Sequence, residues 1–116
     1  MKQVLIITGS ARPNSVNSTV VKLTADRTKA ADAEVVIADL AELALPFYDA
    51  PVPASADDYT PPHESVATFS KMVADADAVV IVGPEYNHSL SGIQKNALDW
   101  VYKEWNGKPV GFVGYG

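Results

Sequence analysis

The stretch Val4-Leu5-Ile6-Ile7-Thr8-Gly9-Ser10-Ala11-Arg12-Pro13-Asn14-Ser15-Val16-Asn17-Ser18 decides how this chain folds. Its first four residues are an unbroken aliphatic run, without the alternation of a half-exposed strand. Such a run fits a strand covered on both faces, the habit of parallel sheets. Thr8-Gly9-Ser10 ends it, and Ser15 or Asn14 is suited to cap a helix. Val16, Val20 and Leu23 then recur at helical spacing, which predicts a helix over about residues 16–30.

The same unit repeats further along. Glu34 to Asp39 reads as a second strand, and Val66, Phe69, Met72 and Val73 mark an amphipathic helix over residues 63–75. Ala78 to Val82 is a third aliphatic run. It gives way to Pro84-Glu85-Tyr86-Asn87-His88-Ser89-Leu90-Ser91-Gly92, and Ile93, Ala97, Leu98 and Val101 predict a helix from about Ser91. Pro109 to Val113 reads as a fourth strand, followed by Gly114-Tyr115-Gly116. Between residues 40 and 62, five prolines make a long regular element unexpected, so this stretch is read as an irregular connection with a rim or subunit-contact role as the alternative.

Alternation of strand and helix implies an α/β fold with parallel strands joined by right-handed crossovers. The expected architecture is a three-layer flavodoxin-like sheet, strand order 2-1-3-4, with the fifth strand lying outside this chain. Residues 1–116 are expected to form one domain, incomplete at its C-terminal side, with the fourth strand as an open edge. In such sheets ligands bind where the strand order reverses, here between the loops after strands one and three.

Composition narrows the chemistry. The 116 residues contain no cysteine, so within them redox work falls to a bound cofactor. A net charge of −5 argues against a broad nucleic-acid surface. No apolar stretch approaches the length of a membrane span, and no leader segment precedes the first strand, so no membrane contact and a cytoplasmic location are expected.

The first loop has the makings of an anion site. Helix N-termini present free N–H groups, Ser10, Ser15, Asn17 and Ser18 add short polar side chains, and Arg12 adds a planar cationic fork. The glycine spacing fits neither a dinucleotide fingerprint, which needs glycine at Ala11 and Asn14, nor a triphosphate loop, which needs glycine at Asn14 and lysine at Ser15. A monophosphate fits better; an ordinary capped turn with a surface arginine is the bland alternative. In the second loop, Pro84 breaks the strand and is expected to leave the backbone N–H groups of Tyr86 and Asn87 open for a flat heteroaromatic ring. Glu85 reads as an anchor of the loop or of a subunit contact, with a surface carboxylate as the alternative; His88 reads as hydrogen-bonded or solvent-facing, with a proton donor as the alternative; Lys95 reads as surface, and Asn96 and Asp99 as ties between this loop and the following helix. No catalytic side chain and no metal ligand set is singled out.

Two motifs, Gly9-Ser10-Ala11-Arg12-Pro13-Asn14-Ser15-Val16-Asn17 and Pro84-Glu85-Tyr86-Asn87-His88-Ser89-Leu90-Ser91-Gly92-Ile93-Gln94-Lys95-Asn96-Ala97-Leu98-Asp99-Trp100, resemble the NAD(P)H-dependent FMN reductase family. The resemblance implies that Ser10, Arg12, Ser15, Asn17 and Ser18 hold the FMN phosphate. It implies that Pro84, Glu85, Tyr86 and Asn87 line the isoalloxazine ring, and that Gly114 and Gly116 begin a further flavin loop after strand four. It further implies NADPH or NADH as co-substrate, and onward transfer to a small-molecule acceptor: a quinone, azo compound, chromate-like oxyanion or free flavin. Homodimers or homotetramers are implied, with Trp100 and Trp105 as interface candidates and core packing as an equal account of Trp100. Ser91 and Gln94 depart from the family's usual proline and leucine. A flavodoxin-like electron carrier, or a non-catalytic fragment completed by a partner chain, are the competing readings.

Overall fold

In the computed structural model, which describes residues 1–116, strands β1 (Gln3–Ile7), β2 (Glu34–Ala38), β3 (Ala78–Pro84) and β4 (Val110–Tyr115) form one parallel sheet in the order β2-β1-β3-β4. The expected order and direction are therefore found. Helix α1 (Val16–Ala30) covers one face, while α3 (Glu64–Asp75) and α4 (Gly92–Asp99) cover the other. A short helix α2 (Leu40–Leu43), absent from the sequence expectation, follows β2. Asp39 makes it possible by accepting from the N–H groups of Ala41 and Glu42.

Alternation along the strands sorts the core. Leu5, Ile7, Val79 and Ile81 pack with Phe69, Val73, Ala97 and Val101 from the α3/α4 side. Ile6 and Val82 meet Val21 and Ala25 of α1 in a smaller cluster. Trp100 is fully buried, so it belongs to the interior and not to an exposed interface. β4 runs two residues beyond the expected strand and is the open edge, with Phe112 exposed.

The positions of the ladders create the site. β1 pairs with β3 only from Val4↔Ala78 to Ile7↔Ile81, whereas β3 continues alongside β4 as far as Pro84↔Tyr115. Beyond Ile7 and Ile81 the two central strands part, and the loops of residues 8–15 and 85–91 leave from the gap. This is the reversal in strand order, where open α/β sheets receive ligands.

Candidate active site at the parting of the central strands

Two side-chain amides hold the parted strands. Asn17, 2% exposed, accepts from the Gly9 N–H through Oδ1 and donates to the Val82 carbonyl through Nδ2, each at 3.0 Å. Gln94 approaches from the other face, donating through Nε2 to the carbonyls of Val82 (3.0 Å) and Thr8 (3.4 Å). Glycine at positions 9 and 83 leaves the room this needs. A Cβ on Gly9 would lie 2.7 Å from the Gly83 Cα, and a Cβ on Gly83 would strike the Gln94 amide. Both polar atoms of the Asn17 amide thus serve the frame.

Above this frame, α1 starts with its first-turn N–H groups open. Ser15 is the N-cap by backbone geometry, yet its side chain caps nothing. α2 and α4, which leave the same end of the sheet, are capped by Asp39 and Ser91. The open turn carries the positive end of a fifteen-residue helix, and Arg12, exposed and without a carboxylate partner, stands beside it. Ser10 Oγ accepts from the Arg12 N–H at 3.1 Å and so shapes the loop. Ser18 donates to the Ser15 carbonyl at 3.0 Å.

The second loop differs from expectation at one atom. Tyr86 N–H donates to the Ser89 carbonyl (3.1 Å) and Ser89 N–H donates back to Tyr86 (3.0 Å), so Tyr86 N–H is already paired. Asn87 and His88 have φ of 51° and 67° and close a two-residue hairpin, a geometry that asparagine tolerates well. The Asn87 N–H has no acceptor in the chain, as expected, while Glu85 N–H donates to Tyr115. His88 is 97% exposed and lies 3.3 Å from the Glu85 carboxylate, a solvent-side pair. Gly114 also differs: the β3–β4 ladder extends through Gly83↔Gly114, so it is a strand residue and not part of a following loop.

The two loops face one another across a crevice of about 230 Å³, lined from one side by Ser10, Arg12 and Ser15 and from the other by Pro84, Glu85 and Tyr86, with Gly116 at its end. Seven of the eleven residues expected at a ligand are brought together there. Gly114 borders a neighbouring hollow with Pro84 and Glu85; Asn17, Ser18 and Asn87 line neither. Asp99 pairs with Lys95 on the helix surface, and Asn96 ties α4 to the chain at Pro46 and Tyr48, not to the loop that precedes it.

Chemically, the crevice offers an anion hold on the side of Ser10, Arg12 and Ser15 and the Pro84–Tyr86 turn on the other. No cluster of side chains suited to a metal ion is present, and no helix is long and apolar enough to cross a membrane. Sequence reasoning missed Phe47, which borders a larger cavity beside the crevice. It lies in the proline-rich stretch, and its placement depends on residues fifty positions away.

The family model described as NADPH-dependent FMN reductase matches residues 2–116. The NAD(P)H-dependent FMN reductase ntnL of a Nectria species is 34% identical, the alignment covering all of this chain and 60% of that protein. A quinone reductase of Escherichia coli K12 is 36% identical over 93% of this chain and 56% of its own length. Among solved structures, FerB, a flavoenzyme NAD(P)H:acceptor oxidoreductase from Paracoccus denitrificans, superposes with a TM-score of 0.78 at 30% identity, over 98% of this chain and 60% of that one. The chain spans about 60% of the length of these relatives. It belongs to the NADPH-dependent FMN reductase family.

Proposed function

We propose that this member of the NADPH-dependent FMN reductase family binds FMN across the parted strands and works as an NAD(P)H-dependent reductase of quinones or comparable acceptors. The observation that carries the reading is the uncapped first turn of α1, beside the unpaired Arg12, on the same crevice as the Pro84–Tyr86 turn.

The residues fit the cofactor. The first-turn N–H groups of α1, Ser10, Ser15 and the Arg12 guanidinium would hold its phosphate. Pro84, Glu85 and Tyr86 would support the ring, with the Asn87 N–H as a donor near its edge. Bound FMN supplies the two-electron chemistry, taking hydride from a nicotinamide and passing it to the acceptor. The chain's own part is positioning. Asn17 and Gln94 keep the loops at a fixed separation through the Val82 carbonyl they share. No side chain has to move a proton for the hydride transfer itself. Azo compounds, chromate-like oxyanions and free flavin are further acceptors within this reading, and assembly into dimers or tetramers belongs to it as well.

Titrating the chain with FMN and following flavin fluorescence tests the cofactor. Saturable quenching with one site per chain is expected, and its absence overturns the reading. NADPH oxidation in the presence of a quinone then separates a reductase from an electron carrier, which would bind FMN and oxidise NADPH poorly.

A further inference from the structure

The wall of the crevice contains a hairpin closed on itself. The Tyr86 N–H donates to the Ser89 carbonyl at 3.1 Å, and the Ser89 N–H donates to the Tyr86 carbonyl at 3.0 Å. One donor and one acceptor beside the candidate ligand space are thus tied to each other.

The turn between them is strained. Asn87 and His88 fill its two central positions, with φ of 51° and 67°. Two-residue hairpins with both central φ values positive favour asparagine followed by glycine. Asparagine is present here, but histidine stands where glycine is favoured, and a Cβ makes the left-handed region costly. Packing does not offset that cost. Residues Glu85 to Ser89 are all exposed, and the His88 side chain is 97% exposed. The Glu85 carboxylate lies 3.3 Å from His88, and an exposed pair of this kind contributes little.

The feet of the loop are fixed. The Glu85 N–H donates to the Tyr115 carbonyl at 3.2 Å, and Ser91, 2% exposed, caps α4. Between these posts there is open space on two sides. The crevice of about 230 Å³ borders Tyr86, and a hollow of about 370 Å³ borders His88, Ser89 and Leu90. Strain at the crown, fixed feet and room to move describe an element with two positions.

We infer that the Tyr86–Ser89 hairpin is a latch that a ligand opens, and that His88 is the positioning residue that sets how readily it opens. Closed, the hairpin joins the Tyr86 N–H to the Ser89 carbonyl. Open, it presents a donor and an acceptor from the same turn, the combination that an imide edge, with its own carbonyls and N–H, can take up. The isoalloxazine ring carries such an edge, so the identity of the trigger rests on the function proposed above. Opening relieves the strain at His88, which raises the open fraction and with it the apparent affinity.

Hydrogen exchange of the chain without ligand, read by NMR as protection factors of the Tyr86 and Ser89 amides, reports the open fraction. His88→Gly removes the left-handed penalty, and because the side chain is exposed it does not threaten folding. It is expected to raise both protection factors about three- to tenfold. FMN binding, followed by flavin fluorescence, is expected to weaken by the same factor. His88→Asn is expected to fall between the two in both measurements. A residue that merely supported the loop would lose affinity as the loop loosened, whereas here affinity falls as the loop tightens. Unchanged protection in His88→Gly overturns the inference. So does higher protection with FMN affinity unchanged or improved, because the hairpin would then stay closed around the ligand. A wild-type chain that binds no FMN overturns the cofactor reading and the flavin as trigger, whatever the protection factors show.

Discussion

Asn17 and Gln94, one from each side of the sheet, donate to the same carbonyl oxygen, that of Val82, each at 3.0 Å. One acceptor with two donors joins both helical layers to the point where the central strands part. The pair is unequal, however. Asn17 has both amide atoms satisfied, whereas the Gln94 Oε1 is buried without a donor.

That inequality predicts opposite outcomes. Asn17→Leu strands the buried Gly9 N–H and is expected to cost about 1–3 kcal/mol. Gln94→Leu removes an unsatisfied oxygen along with its donor group, while Val82 keeps Asn17, so the change is expected to stay within about 1 kcal/mol. Urea denaturation of the two variants checks both values.

Gly9→Ala and Gly83→Ala are expected to differ as well. The new Cβ at position 9 runs into the Val82 carbonyl and the Gly83 Cα, which are backbone and cannot turn aside. At position 83 it meets only the Gln94 side chain. Gly83→Ala is therefore expected to be rescued in part by Gln94→Ala, and Gly9→Ala not. Thermal melts of the singles and the two doubles make the comparison.

Arg12→Ala is expected to weaken FMN binding about ten- to hundredfold by removing a charge-assisted contact to phosphate. The wild-type affinity is expected to fall with added salt more steeply than that of the variant, because Arg12 is solvent-exposed. Riboflavin, which has no phosphate, is expected to bind both equally. Fluorescence titrations with the two flavins give the answer.

Tyr59 supplies a pH prediction. Burial, then the neighbouring Tyr48 and Glu104, raise its pKa above the ordinary 10.0, and its hydroxyl donates to the Trp100 carbonyl at 3.0 Å. The folded state thus favours the neutral phenol. The associated stability is fully present below pH 10 and is lost as pH rises through the higher folded-state value. Tyr59→Phe is expected to be less stable at neutral pH, with a flatter decline on the alkaline side, in denaturation curves taken from pH 7 to 11.

The framework was legible because it is written locally. The aliphatic runs at Val4 to Ile7 and Ala78 to Val82 gave the central strands, and the Val16–Ala30 helix follows from its own spacing. The proline-rich stretch was not, because its order comes from partners far along the chain: Asn96 and Trp100 hold Pro46 and Tyr48, and no local pattern announces them. The pairing of the Tyr86 N–H is not legible in the sequence, because the hairpin depends on two consecutive left-handed residues, Asn87 and His88, rather than on the preceding proline. Asn17 lies in the first turn of α1 with its amide turned inward, and nothing in the sequence tells whether such an amide faces a ligand or Val82.

The two helical layers also differ in depth. α1 rests on a cluster of four buried residues, against eleven on the opposite face, and Val16 and Leu23 stay largely in solvent. The layer that holds the anion-binding turn is thus the thinner one, and its amides are expected to exchange with deuterium before those of α3. A phosphate lodged at that turn would slow the exchange, so occupancy of the site would be readable as protection along the whole first helix.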